Sequence, residues 1–231
     1  MKVYEHDLWK GVYVVEFDDG SLRLATKNLV PSQRVYGEHL YTYEGVEYRE
    51  WNVYRSKLAA ALLKGLEELP VKEGDSILYL GIASGTTASH ISDIIGPKGV
   101  IYGVEFSPRV IRDLLQIVPE RKNILPILAD AREPVRYRHL VGTTMGLYAD
   151  VAQPDQASIV ARNARLFLKD GGYLLLAIKA RSIDVTSEPS DIYLKEMRTL
   201  VEEGFEIRDV VHLDPFDKDH AMVYAVYHRR A

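Results

Sequence analysis

A chain of 231 residues with 29 basic and 33 acidic side chains carries a formal charge of −4, which excludes a small, strongly basic nucleic-acid-binding module. Apolar residues make up 47% of the chain, enough to bury a core, so wholesale disorder is excluded too. Cysteine is absent, which removes disulfides, thiolate metal sites and cysteine nucleophiles together.

From the N-terminus, Met1-Lys2-Val3-Tyr4-Glu5-His6-Asp7 has no apolar signal core. No uncharged apolar run approaches the ~20 residues of a membrane span. A soluble, cytoplasmic protein without a metal or membrane partner is the expectation. Val12, Val14 and Leu22, Leu24 lie in short alternating runs around Asp19-Gly20, a hairpin signal, and runs 35–43 and 46–51 flank Glu44-Gly45. Residues 1–52 therefore read as a small antiparallel β domain. Its first fifty positions hold nine acids and six bases, most of the net negative charge.

Residues 53–231 read as a second domain. Leu58, Leu62, Leu66 and Leu69 recur at helical spacing, with Asn52 as a plausible N-cap and Pro70 as a stop. Strands are expected at 76–80, 100–105, 124–129, 145–149 and 173–179, and helices at 87–95, 108–118, 155–168 and 190–203. The runs 205–213 and 221–227 have no helix between them and read as an antiparallel pair. Apolar strands alternating with helices predict an α/β fold: a doubly wound, mostly parallel seven-stranded sheet covered on both faces, with an antiparallel C-terminal strand.

The turn Gly81-Ile82-Ala83-Ser84-Gly85-Thr86-Thr87 joins a buried strand to a helix. Glycines there permit a tight turn and close approach of a ligand, and the helix N-terminus offers free N–H groups. Glu105 ends the next strand, twenty residues beyond Gly85, the separation of a carboxylate that grips ribose hydroxyls. Asp130 and Asp150 end the following strands. Glycine packing alone, or a helix cap at either aspartate, would explain each feature singly. Three carboxylates at consecutive strand ends suit a nucleoside with a cationic centre, such as S-adenosylmethionine. A dinucleotide pyrophosphate would be repelled, and the dinucleotide fingerprint Gly-x-Gly-x-x-Gly is missing.

Lys179 follows the apolar run Tyr173-Leu174-Leu175-Leu176-Ala177-Ile178, a place where burial lowers a lysine pKa. A snorkelling strand-end lysine is the plainer reading. Lys57 reads equally as a solvated helix face, and His220 as an ordinary turn residue.

Together these residues carry a resemblance to archaeal fibrillarins, the S-adenosylmethionine-dependent RNA 2′-O-methyltransferases of box C/D guide particles. It spans nearly the whole chain. The specific stretches are Tyr48-Arg49-Glu50-Trp51-Asn52, Arg55-Ser56-Lys57-Leu58-Ala59-Ala60, Gly81 to Thr87, and Gly103-Val104-Glu105-Phe106-Ser107. Further ones are Ala149-Asp150-Val151-Ala152-Gln153-Pro154, Ile178-Lys179-Ala180-Arg181-Ser182-Ile183-Asp184 and Lys218-Asp219-His220-Ala221. Asp214 and Phe216 stand where the family more often has Glu and Tyr. The resemblance implies cofactor contacts from the Gly81, Ala83 and Gly85 loop, Thr86, Thr87, Glu105, Phe106, Asp130, Ala131, Asp150, Val151, Ala152 and Gln153. It also implies a catalytic tetrad of Lys57, Asp150, Lys179 and His220. In that reading Lys179 is the general base, oriented by Asp150, and Lys57 and His220 position the ribose and stabilise oxyanion charge.

Segments 121–139 and 160–181 are locally basic, and nothing resembles a sequence-reading RNA module. Target choice is then delegated. The resemblance implies a box C/D guide RNA paired to the substrate RNA, a Nop-domain scaffold protein and a kink-turn-binding ribosomal protein. Two other readings compete: a nicotinamide-dependent oxidoreductase, and a scaffold that keeps the fold without catalysis.

Overall fold

The computed structural model describes residues 1–184, 186 and 188–229. The N-terminal unit is a five-stranded antiparallel sheet built from β1 (Lys2–Glu5), β2 (Val12–Glu16), β3 (Leu22–Lys27), β4 (Leu40–Tyr43) and β5 (Val46–Glu50), in the order β1-β2-β3-β5-β4. Both predicted hairpins are present. Tyr43 pairs with Val46, leaving Glu44 and Gly45 as a two-residue loop, and both have positive φ (+49° and +77°). That combination matches the right-handed twist of the flanking strands. β1 is an addition to the predicted set.

Next comes α1 (Lys57–Leu63). Its cap is Ser56, whose hydroxyl accepts from the Ala59 N–H at 3.4 Å, while the Asn52 side chain accepts from the Tyr54 N–H at 2.8 Å. Asn52 therefore stabilises the preceding turn. The helix also stops earlier than the leucine spacing implies, because Gly65 sits at φ +101° and turns the chain out of the helix. Leu66 and Leu69 are still buried.

The remaining elements are β6 (Ser76–Leu80), α2 (Thr86–Ile95), β7 (Val100–Glu105), α3 (Ile111–Ile117), β8 (Ile124–Leu128), β9 (Thr144–Ala149), α4 (Gln156–Phe167), β10 (Leu168–Lys179), α5 (Ala180–Ile183), α6 (Pro189–Glu202), β11 (Phe205–His212) and β12 (His220–Tyr227). A short 3₁₀ turn covers Pro134–Tyr137. The seven strands run in the order β11-β12-β10-β9-β6-β7-β8, and β12 is antiparallel to both of its neighbours. This is the doubly wound sheet that the alternation of elements implied. The early turn of the 108–118 segment is not helical. The short α5 and the 3₁₀ turn are too brief to leave a periodic signal.

Alternation along β6 splits the core into two layers. Ile77 and Tyr79 face a cluster with Leu58 and Leu62 of α1, Ile91 of α2 and Leu114 of α3; Leu78 and Leu80 face one with Ile159 and Val160 of α4 and Leu200 of α6. Trp9, Val12, Leu24 and Trp51 of the N-terminal unit belong to the first cluster, so the two sheets share apolar packing. A buried ion network joins them as well. Arg49 on β5 meets Glu38 at 2.7 Å and Asp93 of α2 at 2.8 Å, and Arg121 meets Asp93 at 2.6 Å. Among the described residues no helix is long and apolar enough to cross a membrane.

Candidate active site

β6 lies between β7 and β9, so the chain leaves it for opposite halves of the sheet. Ligands of doubly wound sheets sit outside the carboxyl ends of the strands at such a switch point. A cleft of about 330 Å³ opens there, lined by the segments that follow β6, β7, β8, β9 and β10. Gly81, Ala83, Glu105, Phe106, Asp130, Ala131, Asp150, Val151, Ala152, Gln153 and Lys179 all contribute to its wall.

The loop after β6 is shaped by close approach. Gly81 has φ +75°, and a Cβ on it would lie 2.5 Å from the Asp150 carbonyl oxygen. Ala83 is also left-handed, at φ +52°, and its N–H donates to Glu105 Oε2 at 3.1 Å while the Ser107 N–H donates to Oε1 at 2.8 Å. The Glu105 carboxylate is thereby fixed at the end of β7. Asp130 is fixed in turn by Arg132, whose guanidinium binds both carboxylate oxygens at 2.6–3.0 Å. These hydrogen bonds hold the Asp130 carboxyl below the usual carboxylate range.

Gly85, Thr86 and Thr87 do not line the cleft. A Cβ on Gly85 would meet Leu114 and Ile117 at 2.8 and 2.9 Å, so this glycine serves the contact between its loop and α3. Thr87 is buried, with its hydroxyl 2.9 Å from that of Ser56. That bond ties α2 to the start of α1.

Asp150 and Lys179 border one end of the cleft, and the other two tetrad candidates, Lys57 and His220, lie next to them. Asp150, directly after β9, meets Lys57 Nζ through Oδ2 at 3.1 Å and Lys179 Nζ through Oδ1 at 2.8 Å. Burial works against the Asp150 charge, but the two ammonium groups outweigh it and hold the carboxyl below its ordinary value. Burial likewise opposes the Lys57 ammonium, and Asp150 and Asp217 together overcome it, keeping its pKa above the ordinary lysine value. His220 is the cross-strand partner of Lys179 in the β10–β12 ladder. It reaches the other three through Asp217, which lies 2.9 Å from His220 Nδ1 and 3.5 Å from Lys57 Nζ.

Two participants carry no sequence signal. Asp217 is one acid among several in a polar turn. Gln156 opens α4 fully buried, donating to the Val151 carbonyl at 2.9 Å and accepting from the Lys179 N–H at 3.2 Å; it braces the ends of β9 and β10 against each other.

The locally basic segments are largely neutralised. Arg121 is buried in the ion network, Arg136 pairs with Glu133, Arg162 with Asp155, Arg165 with Glu203 and Arg181 with Asp219. Lys122, Arg138 and Lys169 are exposed cations without a carboxylate partner among the described residues.

Comparison with known proteins decides the family. The family model described as Fibrillarin matches residues 3–229. The chain belongs to the fibrillarin family. Its similarity to the Aeropyrum pernix fibrillarin-like rRNA/tRNA 2′-O-methyltransferase is 74% identity over 229 residues, covering 99% of this chain and 98% of that one. The crystal structure of Aeropyrum pernix fibrillarin with natively bound S-adenosyl-L-methionine superposes with a TM-score of 0.93 at 74% identity, covering 98% of each chain. A fibrillarin in a solved complex with Nop5p is 39% identical, with a TM-score of 0.85 over 96% of this chain and 100% of that one. The matched span of the fibrillarin model includes both sheets, the cleft and the lysine–carboxylate cluster.

Proposed function

We propose that this fibrillarin-family chain is an S-adenosylmethionine-dependent ribose 2′-O-methyltransferase acting on rRNA, with tRNA as a further substrate, as the catalytic subunit of a box C/D guide ribonucleoprotein in the cytoplasm. The observation that carries this reading is Asp150, shared by two lysine ammonium groups at the end of a nucleoside-sized cleft. The names of the relatives and the cofactor held by the Aeropyrum pernix fibrillarin support it.

The residues present fit S-adenosylmethionine. The cleft is lined by carboxylates, which accept ribose hydroxyls and favour a cation, and Gly81 leaves its floor free of a side chain. Glu105 would hold the ribose diol, Phe106 would cover the adenine face, and Asp130 with Ala131 would meet the adenine edge. Asp150 through Gln153 would hold the amino-acid end. When bound, the cofactor supplies an electrophilic methyl group on a sulfonium.

A ribose 2′-hydroxyl is a weak nucleophile until its proton is removed. Lys57 faces two carboxylates and is held as an ammonium, which suits it to neutralising developing oxyanion charge. Lys179 faces one and takes the role of general base. His220, at the same ladder rung as Lys179, positions the substrate ribose.

The two basic segments are largely neutralised and no sequence-reading RNA module is present, so targeting falls to partners. A Nop-domain scaffold is supported by the relative solved with Nop5p; the guide RNA, the paired substrate RNA and the kink-turn-binding ribosomal protein come with the guide-particle reading. The division into residues 1–52 and 53–231 belongs to the same proposal and is supported by the two separate sheets.

Radiolabelled methyl transfer to RNA, with and without the reconstituted guide particle, tests the function. Transfer is expected only in the complete particle, and Lys179→Ala should slow it by about 10²–10⁴-fold while S-adenosylhomocysteine still binds in a calorimetric titration. Wild-type rates in Lys179→Ala would remove the base assignment. Binding of NAD in place of S-adenosylhomocysteine would favour the oxidoreductase.

A further inference from the structure

The turn between β11 and β12 is built to present one carboxylate. The Phe216 and Asp217 N–H groups both donate to the Leu213 carbonyl, at 2.9 and 3.2 Å, and the Leu213 N–H donates to the His220 carbonyl at 3.0 Å. At its far side Asp219 adopts φ +58°, a left-handed conformation that aspartate tolerates better than most residues. The Asp219 carbonyl accepts from the Ala180 N–H at 3.1 Å, and its carboxylate pairs with Arg181 at 3.1 Å. The turn is thus pinned to the residues that directly follow Lys179.

Within this frame His220 Nδ1 lies 2.7 Å from the Lys218 carbonyl and 2.9 Å from Asp217 Oδ1. A carbonyl oxygen only accepts, so Nδ1 must carry the hydrogen. In the neutral ring Nε2 is then the bare lone pair, and it has no partner among the described residues. The other Asp217 oxygen lies 3.5 Å from Lys57 Nζ. Asp217 and Lys57 also line a separate recess of about 180 Å³ with Tyr54, Arg55, Ser56 and Phe216, none of which borders the larger cleft. The Arg55 guanidinium lies over the Tyr36 ring at 5.6 Å and has no carboxylate partner among the described residues, so this recess offers a phosphate a guanidinium that no acid neutralises. Lys179 belongs to the cleft and Lys57 to the recess, and Asp150 joins the two.

We propose that Asp217 is a positioning residue of the methyl-transfer site, holding His220 with Nε2 turned to the RNA ribose and Lys57 on the substrate side. This rests on the function proposed above. Asp217 acts through its neighbours Lys57 and His220. It ends a line of alternating charge, Lys179–Asp150–Lys57–Asp217, running from the cofactor cleft to the recess, and the His220 ring hangs from its last carboxylate.

The test is single-turnover methyl transfer in the reconstituted particle, with S-adenosylhomocysteine affinity and melting temperature measured alongside. Asp217→Asn should slow transfer roughly ten- to a hundredfold, with cofactor affinity and melting unchanged, and Asp217→Glu should restore most of the rate. In a His220→Ala background Asp217→Asn should cost much less than in the wild type, because the two changes break one interaction. A wild-type rate in Asp217→Asn, or penalties that simply multiply in the double variant, would overturn the role of Asp217. An inactive wild-type particle would instead overturn the function proposal.

Discussion

One carboxylate serving two ammonium groups is the centre of chemistry at the residue scale, and its environment is set by residues that sequence alone describes poorly. Asp150 and Lys179 stand out as strand-end groups, whereas Asp217 and Gln156 become visible only once the turn and the start of α4 are folded. His90 is a second case. Within the polar stretch Ala88-Ser89-His90-Ile91-Ser92-Asp93 it resembles a surface residue, yet it is fully buried, stacked on Trp51 at 5.0 Å. Its Nδ1 lies 2.7 Å from the Thr26 hydroxyl and its Nε2 lies 2.7 Å from the Tyr36 hydroxyl. Thr26 donates its own hydrogen to Asp93, so Nδ1 is the donor of that pair, while the Tyr36 hydroxyl donates to the Glu50 carbonyl at 2.9 Å. Burial, then the charges of Arg49 and Arg121, push its pKa well below the ordinary value. The unfolded chain binds this proton near pH 6.5 and the folded chain does not, so folding stability falls as pH drops below that value, by about 1.4 kcal/mol per pH unit. Denaturant titrations at pH 7 and pH 5 should show this loss, and a His90→Gln variant should show a shallower dependence. Equal slopes would remove His90 from the explanation.

At the scale of elements, the strands were legible because a buried parallel sheet demands continuous apolar runs with turns between them. The end of the first helix was not, since Leu66 and Leu69 keep their burial after the chain has left the helix at Gly65. Helix periodicity and core burial coincide there without being the same thing. The loop after β6 was read as a place of close ligand approach; its tightest approach is to its own chain. Gly81→Ala places a methyl group against the Asp150 carbonyl in a left-handed backbone conformation. The expected cost is about 1–3 kcal/mol of stability, together with weaker S-adenosylhomocysteine binding, because relief of the clash displaces Asp150. Thermal melting and calorimetric titration check both effects. Gly85→Ala should cost stability through Leu114 and Ile117 while affecting the cofactor less. The β10–β12 ladder sets the Lys179–His220 juxtaposition, and a one-residue slip would send the two side chains to opposite faces.

Across the whole molecule, the separation into two β-containing units was legible from composition and turn signals, but the joint between them was not. Arg49 and Arg121 look like solvent-facing bases in the sequence, and both end up buried on Asp93. Replacing Asp93 with Asn leaves two buried guanidinium groups short of a carboxylate. The expected loss is about 3–5 kcal/mol, measurable by denaturant unfolding, with the melting of both sheets remaining a single transition. Separate transitions for the two sheets would contradict the shared core. The negative total charge takes on a local meaning as well: the ion pairs in the two basic segments remove most of their free charge. The same ion network constrains how the protein is made. The N-terminal sheet leaves the ribosome first, but Arg49 cannot be buried until Asp93 and Arg121 have followed it. At roughly 5–20 residues per second, the nascent sheet waits several seconds with an unfinished inner face, exposed to whatever chaperone or sister chain meets it first.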